Sequence, residues 1–145
     1  MRRRIVLAVA GVLAGAVACA KRPPVPPLEV RNPWARSADS AATTAAYFIL
    51  VNHEAAAITL SGAESPLAES VTLHESMEMK GMVHMVALDA PQAIAPGDSL
   101  VVKEGGKHLM VTGLKRALAN GDSLPLVLHF GDGRALRVTA IVHAP

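Results

Sequence analysis

From Leu28 onward the chain alternates short apolar runs with polar punctuation, and Gly, Pro, Asn or Asp returns about every ten residues. Within the runs the apolar positions recur with a period of two, the signature of half-buried strands. The pattern predicts strands at Leu28 to Arg31, Ala46 to Val51, Ile58 to Gly62, Ser70 to His74, and Val83 to Leu88. Further strands are predicted at Ser99 to Lys103, His108 to Thr112, Leu124 to Phe130, and Ala135 to Val142. No segment carries a long 3.6-residue stripe. The Ala-rich "SADSAATTAA" (37–46) is read as a loop, because its Ser, Thr and Asp compete with helical hydrogen bonding. Many short strands with regular turn signals argue an all-β domain, either a two-sheet antiparallel sandwich or a Greek-key barrel. There is no internal repeat.

The first residues break this pattern. "MRRRIVLAVAGVLAGAVACA" places three arginines before an apolar run from Ile5 to Ala18, the layout of a secretory signal. The run falls short of the roughly 20 apolar residues a membrane helix needs. Cys19, the one cysteine of the chain, lies at the junction where such a signal is cut. Two readings of that junction stay open. Signal peptidase would cut after the A-x-A of Ala16, Val17 and Ala18; alternatively Cys19 is the lipid-bearing first residue of a bacterial lipoprotein. The second is favoured, because a free thiol on an exported protein is otherwise a liability. "AKRPPVPP" then reads as a stiff, extended tether. The expected organisation is residues 1–18 as signal peptide, 19–27 as lipidated Pro-rich tether and 28–145 as one β-sandwich domain. The expected location is the periplasm, on a membrane through the lipid or otherwise free.

Charge changes meaning once the signal is set aside. Loss of Arg2, Arg3 and Arg4 leaves 11 basic against 12 acidic side chains, so the basic isoelectric point belongs to the targeting segment. With no basic patch, and only one Trp, one Tyr and two Phe to stack on bases, no nucleic-acid partner is expected. The same scarcity of aromatics leaves Val, Leu, Ile and Ala to fill the core.

Sulfur and imidazole are unevenly spread. "LHESMEMKGMVHM" (73–85) holds four methionines and two histidines, out of six of each in the chain. In "KHLMV", alternation sends His108 and Met110 to one face and the core-forming Leu109 and Val111 to the other. His74 is likewise opposite in sense to Leu73, and so leaves the core. Either feature alone has an ordinary explanation, since a surface histidine beside a packed methionine is common and Met fills gaps in cores. Together, five methionines and three histidines in two short, non-helical segments argue a metal site. Neutral thioether and imidazole donors without thiolate or carboxylate select copper(I). Alternation permits Met85 outward with Met82 and His84 inward, unless a bulge reverses the sense. Met77, Met79, Met82 and His84 are secondary metal candidates, read either as a capture antenna or weaker site, or as solvated loop and partial core. His53, His129 and His143 read as surface histidines, and Trp34 as a core or edge-packing aromatic.

These residues carry a resemblance. His74, ten residues, Met85, then His108-x-Met110 is similar to the signature of the periplasmic copper chaperone family often called PCuAC. "PWAR" (33–36), "AAYFILVN" (45–52), "LHE" (73–75), "GGKHLMVTGLK" (105–115) and "GDSLPLVLHF" (121–130) support it. The 22 residues between Met85 and His108 exceed the usual spacing by one, which a lengthened loop at "DAPQAI" (89–94) accommodates. The resemblance implies a cupredoxin-like β-sandwich binding copper(I) through His74, Met85, His108 and Met110. It also implies a copper-acceptor partner, the dinuclear copper centre of cytochrome c oxidase or its assembly factor, with the chaperone a monomer.

Other classes lack their chemistry. A blue-copper carrier needs a Cys ligand, and a thiol oxidoreductase needs a Cys-x-x-Cys pair. No hydrolase constellation stands out, so no catalysis is expected. The surviving rival is a periplasmic copper-sequestering or structural β-sandwich with no delivery role.

Overall fold

In the computed structural model, which describes residues 24–144, every regular element is a strand. The strands are β1 Leu28–Arg36, β2 Thr44–Asn52, β3 Ile58–Glu64, β4 Ser70–Met79, β5 Met82–Ala87, β6 Gln92–Ile94, β7 Ser99–Val102, β8 Lys107–Thr112, β9 Ser123–Phe130 and β10 Ala135–His143. The signal peptide, Cys19 and the start of the tether expected from sequence lie outside the described residues. Strict alternation builds the simplest strands: Leu124, Leu126, Leu128 and Phe130 of β9 point inward, as do Val138, Ala140 and Val142 of β10. Pro125 sits within β9 at no cost to the ladder, because its β3 neighbour ends at Glu64↔Val127.

The strands form one hydrogen-bonded path, β5-β4-β8-β2-β1-β10-β9-β3-β6, with β7 following β8 along the same edge of β2. The sheet curls until β3 approaches β4. The enclosed core is mainly aliphatic as expected, with Leu50 from β2, Leu109 and Val111 from β8, and the β9 leucines, joined by Phe48 and Phe130. All pairs are antiparallel except β1 with β10, a parallel pairing that the expectation of an antiparallel sandwich did not contain.

Three boundaries differ from the sequence reading. The first strand runs on to Arg36, because a bulge between Arg31 and Trp34 absorbs the Asn32-Pro33 break, with Asn32 at φ 48°. "DAPQAI" is not wholly a turn: Gln92–Ile94 pairs with β3 and buries Ile94. The fourth strand continues past His74 to Met79, and with β5 makes a hairpin closed by two residues, Lys80 and Gly81, at φ 54° and 77°. Positive φ at both central positions gives the turn whose twist matches paired strands.

Candidate metal centre

The β4–β5 and β4–β8 ladders place the four expected ligands on one face. His74 lies directly opposite His108, Thr72 opposite Met110, and Ser76 opposite Met85. His74 is thus the middle of the group, with His108 across one ladder and the two methionines on diagonals, Met110 toward one end of the strand and Met85 toward the other. Diagonal neighbours stand about 7–8 Å apart, within reach of long side chains. Leu73, Leu109 and Val111 face the core from the other side of these strands. No bulge reverses β5, so Met85 shares the outward face while Met82 and His84 take the core-side sense.

The imidazoles are fixed differently. His108 Nδ1 donates to the Gly106 carbonyl at 3.1 Å, an oxygen that also accepts the Ser76 N–H at 3.1 Å. A neutral ring held this way carries its lone pair on Nε2, the arrangement by which outer partners orient metal-binding histidines. His74 Nε2 bonds the Thr72 hydroxyl at 2.9 Å, and its Nδ1 is buried with no hydrogen-bond partner. Donation from Nε2 to Thr72 leaves an unused lone pair on that buried nitrogen. A buried polar atom without a partner costs about 1–3 kcal/mol, and a metal ion would relieve it. The two ring centroids are 5.9 Å apart. With metal–nitrogen bonds of about 2 Å, each centroid stands about 3 Å from a shared ion, so the separation suits one ion.

Exposure grades across the group. His108 is 6 % exposed, which corrects the expectation that it is presented outward: it turns away from the core but is covered. Met110 and His74 are half-buried, and Met85, on the edge strand, is 61 % exposed. Met85, His108 and Met110 line one open depression of about 450 Å³, with Tyr47, Ser76 and the Arg36–Glu104 ion pair at its rim. The Glu104 carboxylate, and after it Tyr47, hold the Arg36 guanidinium above the ordinary arginine value, so it stays charged and neutralised beside the site. Among the described residues no three His, Cys, Asp or Glu side chains gather around a point. A hard-ion or zinc cage therefore lacks donors there, whereas two thioethers and two imidazoles suit copper(I).

Sequence reasoning missed the supports. Tyr47, Thr72, Gly106 and the Arg36–Glu104 pair carry no metal-like signal; Thr72 and Gly106 lie two residues from His74 and His108, while β1, β2 and the β7–β8 turn bring the others to the site. The other histidines are engaged elsewhere: His53 meets Glu29 at 2.8 Å, His129 meets Glu64 at 3.3 Å, and His143 lies 6.0 Å from the Trp34 ring. His143 ends β10, and its carbonyl accepts the Ser37 N–H. Trp34 stacks on Tyr47, with centroids 4.5 Å apart.

Fold and site define a class: a small all-β domain that offers neutral sulfur and nitrogen donors on the outer face of its sheet. The chain belongs to the LpqE-like family, described as "Putative lipoprotein LpqE-like", whose model matches residues 28–142 and which falls within the PCuAC group. It is 31% identical over 134 residues to "Putative lipoprotein Lxx21020" of Leifsonia xyli subsp. xyli (strain CTCB07), covering 86% of this chain and 80% of that one. Among solved structures it is similar to the copper(I) form of DR1885 from Deinococcus radiodurans, at 32% identity and TM-score 0.51, covering 87% of this chain and 83% of that one. The copper-bound PCuAC domain of PmoF2 shares the fold at TM-score 0.66 and 20% identity, over 84% of this chain and 97% of that one.

Proposed function

We propose that this protein is a copper(I) chaperone of the cell envelope, which holds one ion through His74, Met85, His108 and Met110 and releases it to an acceptor with stronger donors. The observation that carries the reading is the pair of imidazoles opposed across β4 and β8, one with Nδ1 committed to Gly106 and the other with an unpartnered buried nitrogen. The similarity to a protein solved with copper(I) supports it. All four donors are neutral, so the ion keeps its charge in the site, and a dithiolate acceptor offers softer and stronger ligands. Transfer is then ligand exchange, with no bond made or broken in a substrate and no catalysis. The acceptor we assign is the dinuclear copper centre of cytochrome c oxidase, or a factor that assembles it. A lipid on Cys19 would hold the domain at a membrane facing the periplasm, in keeping with the lipoprotein naming of its relatives.

Anaerobic titration with copper(I) against a chromogenic chelator tests the site: one tight equivalent is expected, lost in the His108→Ala/Met110→Ala variant while the fold persists. An unchanged affinity in that variant overturns the assignment. Delivery is tested by stopped-flow metallation of a reduced dithiol copper-centre domain. The loaded protein should outpace a small chelate at matched free copper, and equal rates would make the protein a buffer.

A further inference from the structure

Beyond Gly106, β4 loses β8 as a neighbour and continues with β5 as a two-stranded arm. Its register is continuous from His74↔Ala87 to Met79↔Met82. On the side turned away from Met85, Met77 lies directly opposite His84, and Met79 directly opposite Met82. These are consecutive same-face rungs, so four soft donors occupy four adjoining positions. Direct partners place their Cβ atoms about 4.5–5.5 Å apart, with diagonals about 7–8 Å. Each thioether sits on a flexible, unbranched side chain, so three sulfurs and one imidazole can converge on a single point above the arm.

Exposure makes the arrangement informative. Met77, Met79 and Met82 are 46%, 54% and 61% exposed. Val, Ile and aromatic residues suit a pleated surface better than Met, so strand-building alone does not account for Met at these positions. The arm does use valine at Val83 and Val86, yet at none of these four positions. Three thioethers and one imidazole form a neutral donor set selective for copper(I). We propose that Met77, Met79, Met82 and His84 form a second, weaker copper(I) site on the hairpin face opposite His74. In its role as a landing site for incoming copper, the proposal rests on the reading of the His74 group as the holding site. His84 and Met85 are consecutive on the edge strand β5, so an ion moving from one site to the other has only to round that free edge. The metal stays copper(I) throughout, and only ligands exchange.

Anaerobic copper(I) titration of the apo protein, labelled with carbon-13 at the methionine methyl groups, tests this directly. Two equivalents are expected, the second weaker by about tenfold or more because this site lacks the covered environment and orienting carbonyl of His108. The first should move the methyl resonances of Met85 and Met110, and the second those of Met77, Met79 and Met82. In the Met77→Leu/Met79→Leu/Met82→Leu variant, which keeps the apolar surface and removes the sulfur, the second equivalent should vanish with the first unchanged. That retained first equivalent also reports an intact fold. His84→Ala should weaken the second equivalent alone. The His108→Ala/Met110→Ala variant should still bind one copper, at the hairpin methyls, so failure of the holding site is distinguishable from failure of this one. A single equivalent in the unaltered protein, or a second that survives the triple leucine variant, overturns the proposal.

Discussion

Replacing His74 by Leu should make the copper-free protein more stable while disabling it. The buried Nδ1 of His74 has no hydrogen-bond partner, and such an atom costs about 1–3 kcal/mol. Leucine fills the same half-buried position with no polar atom, and the Thr72 hydroxyl it leaves behind is open to solvent. A net gain of about 1–2 kcal/mol should raise the apo Tm by about 3–10 °C for a domain of this size. Copper reverses the order. At free copper(I) 100-fold above the dissociation constant, a bound ion stabilises the unaltered protein by about 2.7 kcal/mol, and His74→Leu should lose most of that gain. The assay is thermal unfolding by circular dichroism, with and without buffered copper(I). An apo variant that melts at or below the unaltered protein would show that Nδ1 is satisfied by water and stores no cost. A full copper-induced shift in the variant would show that His74 does not hold the ion.

Thr72→Val removes the partner of His74 Nε2 from an exposed position, and should lower copper affinity about 10- to 100-fold with little change in apo Tm, as read by chelator competition. Asn52→Ala should cost about 3 kcal/mol in urea unfolding: the fully buried side chain donates to the carbonyls of Ala56, Ile94 and Ala95 and accepts the Glu54 N–H, and alanine satisfies none of them. Arg31, and after it His53, hold the Glu29 carboxyl at about 2, below its usual 4.5. Its folded value lies under its unfolded one, so its contribution is complete above about pH 4.5 and fades as pH falls toward 2. The Tm difference between the unaltered protein and Glu29→Gln should shrink across that window, and a constant difference would exclude the ion pair as its source.

The strands that sequence predicts well are those with one buried face. β9 and β10 alternate cleanly, and their boundaries move by a residue at most. The errors fall where one local signal hid another. Asn32-Pro33 looked like a strand end, but a bulge carries the chain through. "ESMEMKG" looked like loop because its alternation pairs Met with Glu rather than with aliphatics, and the arm it forms has no core beneath it to demand them. At the site, alternation was enough to turn His74, His108 and Met110 away from the core that Leu109 and Val111 enter and Leu73 packs against, while their grouping as one ligand set came from the family resemblance. The face taken by Met85 depended on an unbulged β5, which only the ladder reveals. Covering of His108 was not legible at all. Tyr47 from β2, and Glu104 and Gly105 from the β7–β8 turn, line the same depression as His108.

The grading of exposure across the proposed ligands has a kinetic consequence. His108 is covered and tied to Gly106, while Met85 stands open on an edge strand that pairs with β4 alone. Ligand exchange begins with the donor that can swing away at least cost, and an exposed thioether with several rotatable bonds loses little packing when it leaves. In the proposed delivery, an acceptor thiolate would therefore enter from the β5 side and take the place of Met85 while both imidazoles still held the ion. The depression at this point, about 450 Å³, is far larger than a bare ion and admits a partner's side chain. The Arg36–Glu104 pair at its rim presents one charge of each sign, so it neither repels an approaching cation nor traps a thiolate. Met110 would follow, and the histidines would release last, once the second thiolate had closed on the metal. The same four ligands with the burial reversed, Met85 covered and His108 exposed, would hold copper as well and surrender it more slowly, because the first donor to leave would be one fixed by both packing and hydrogen bonding.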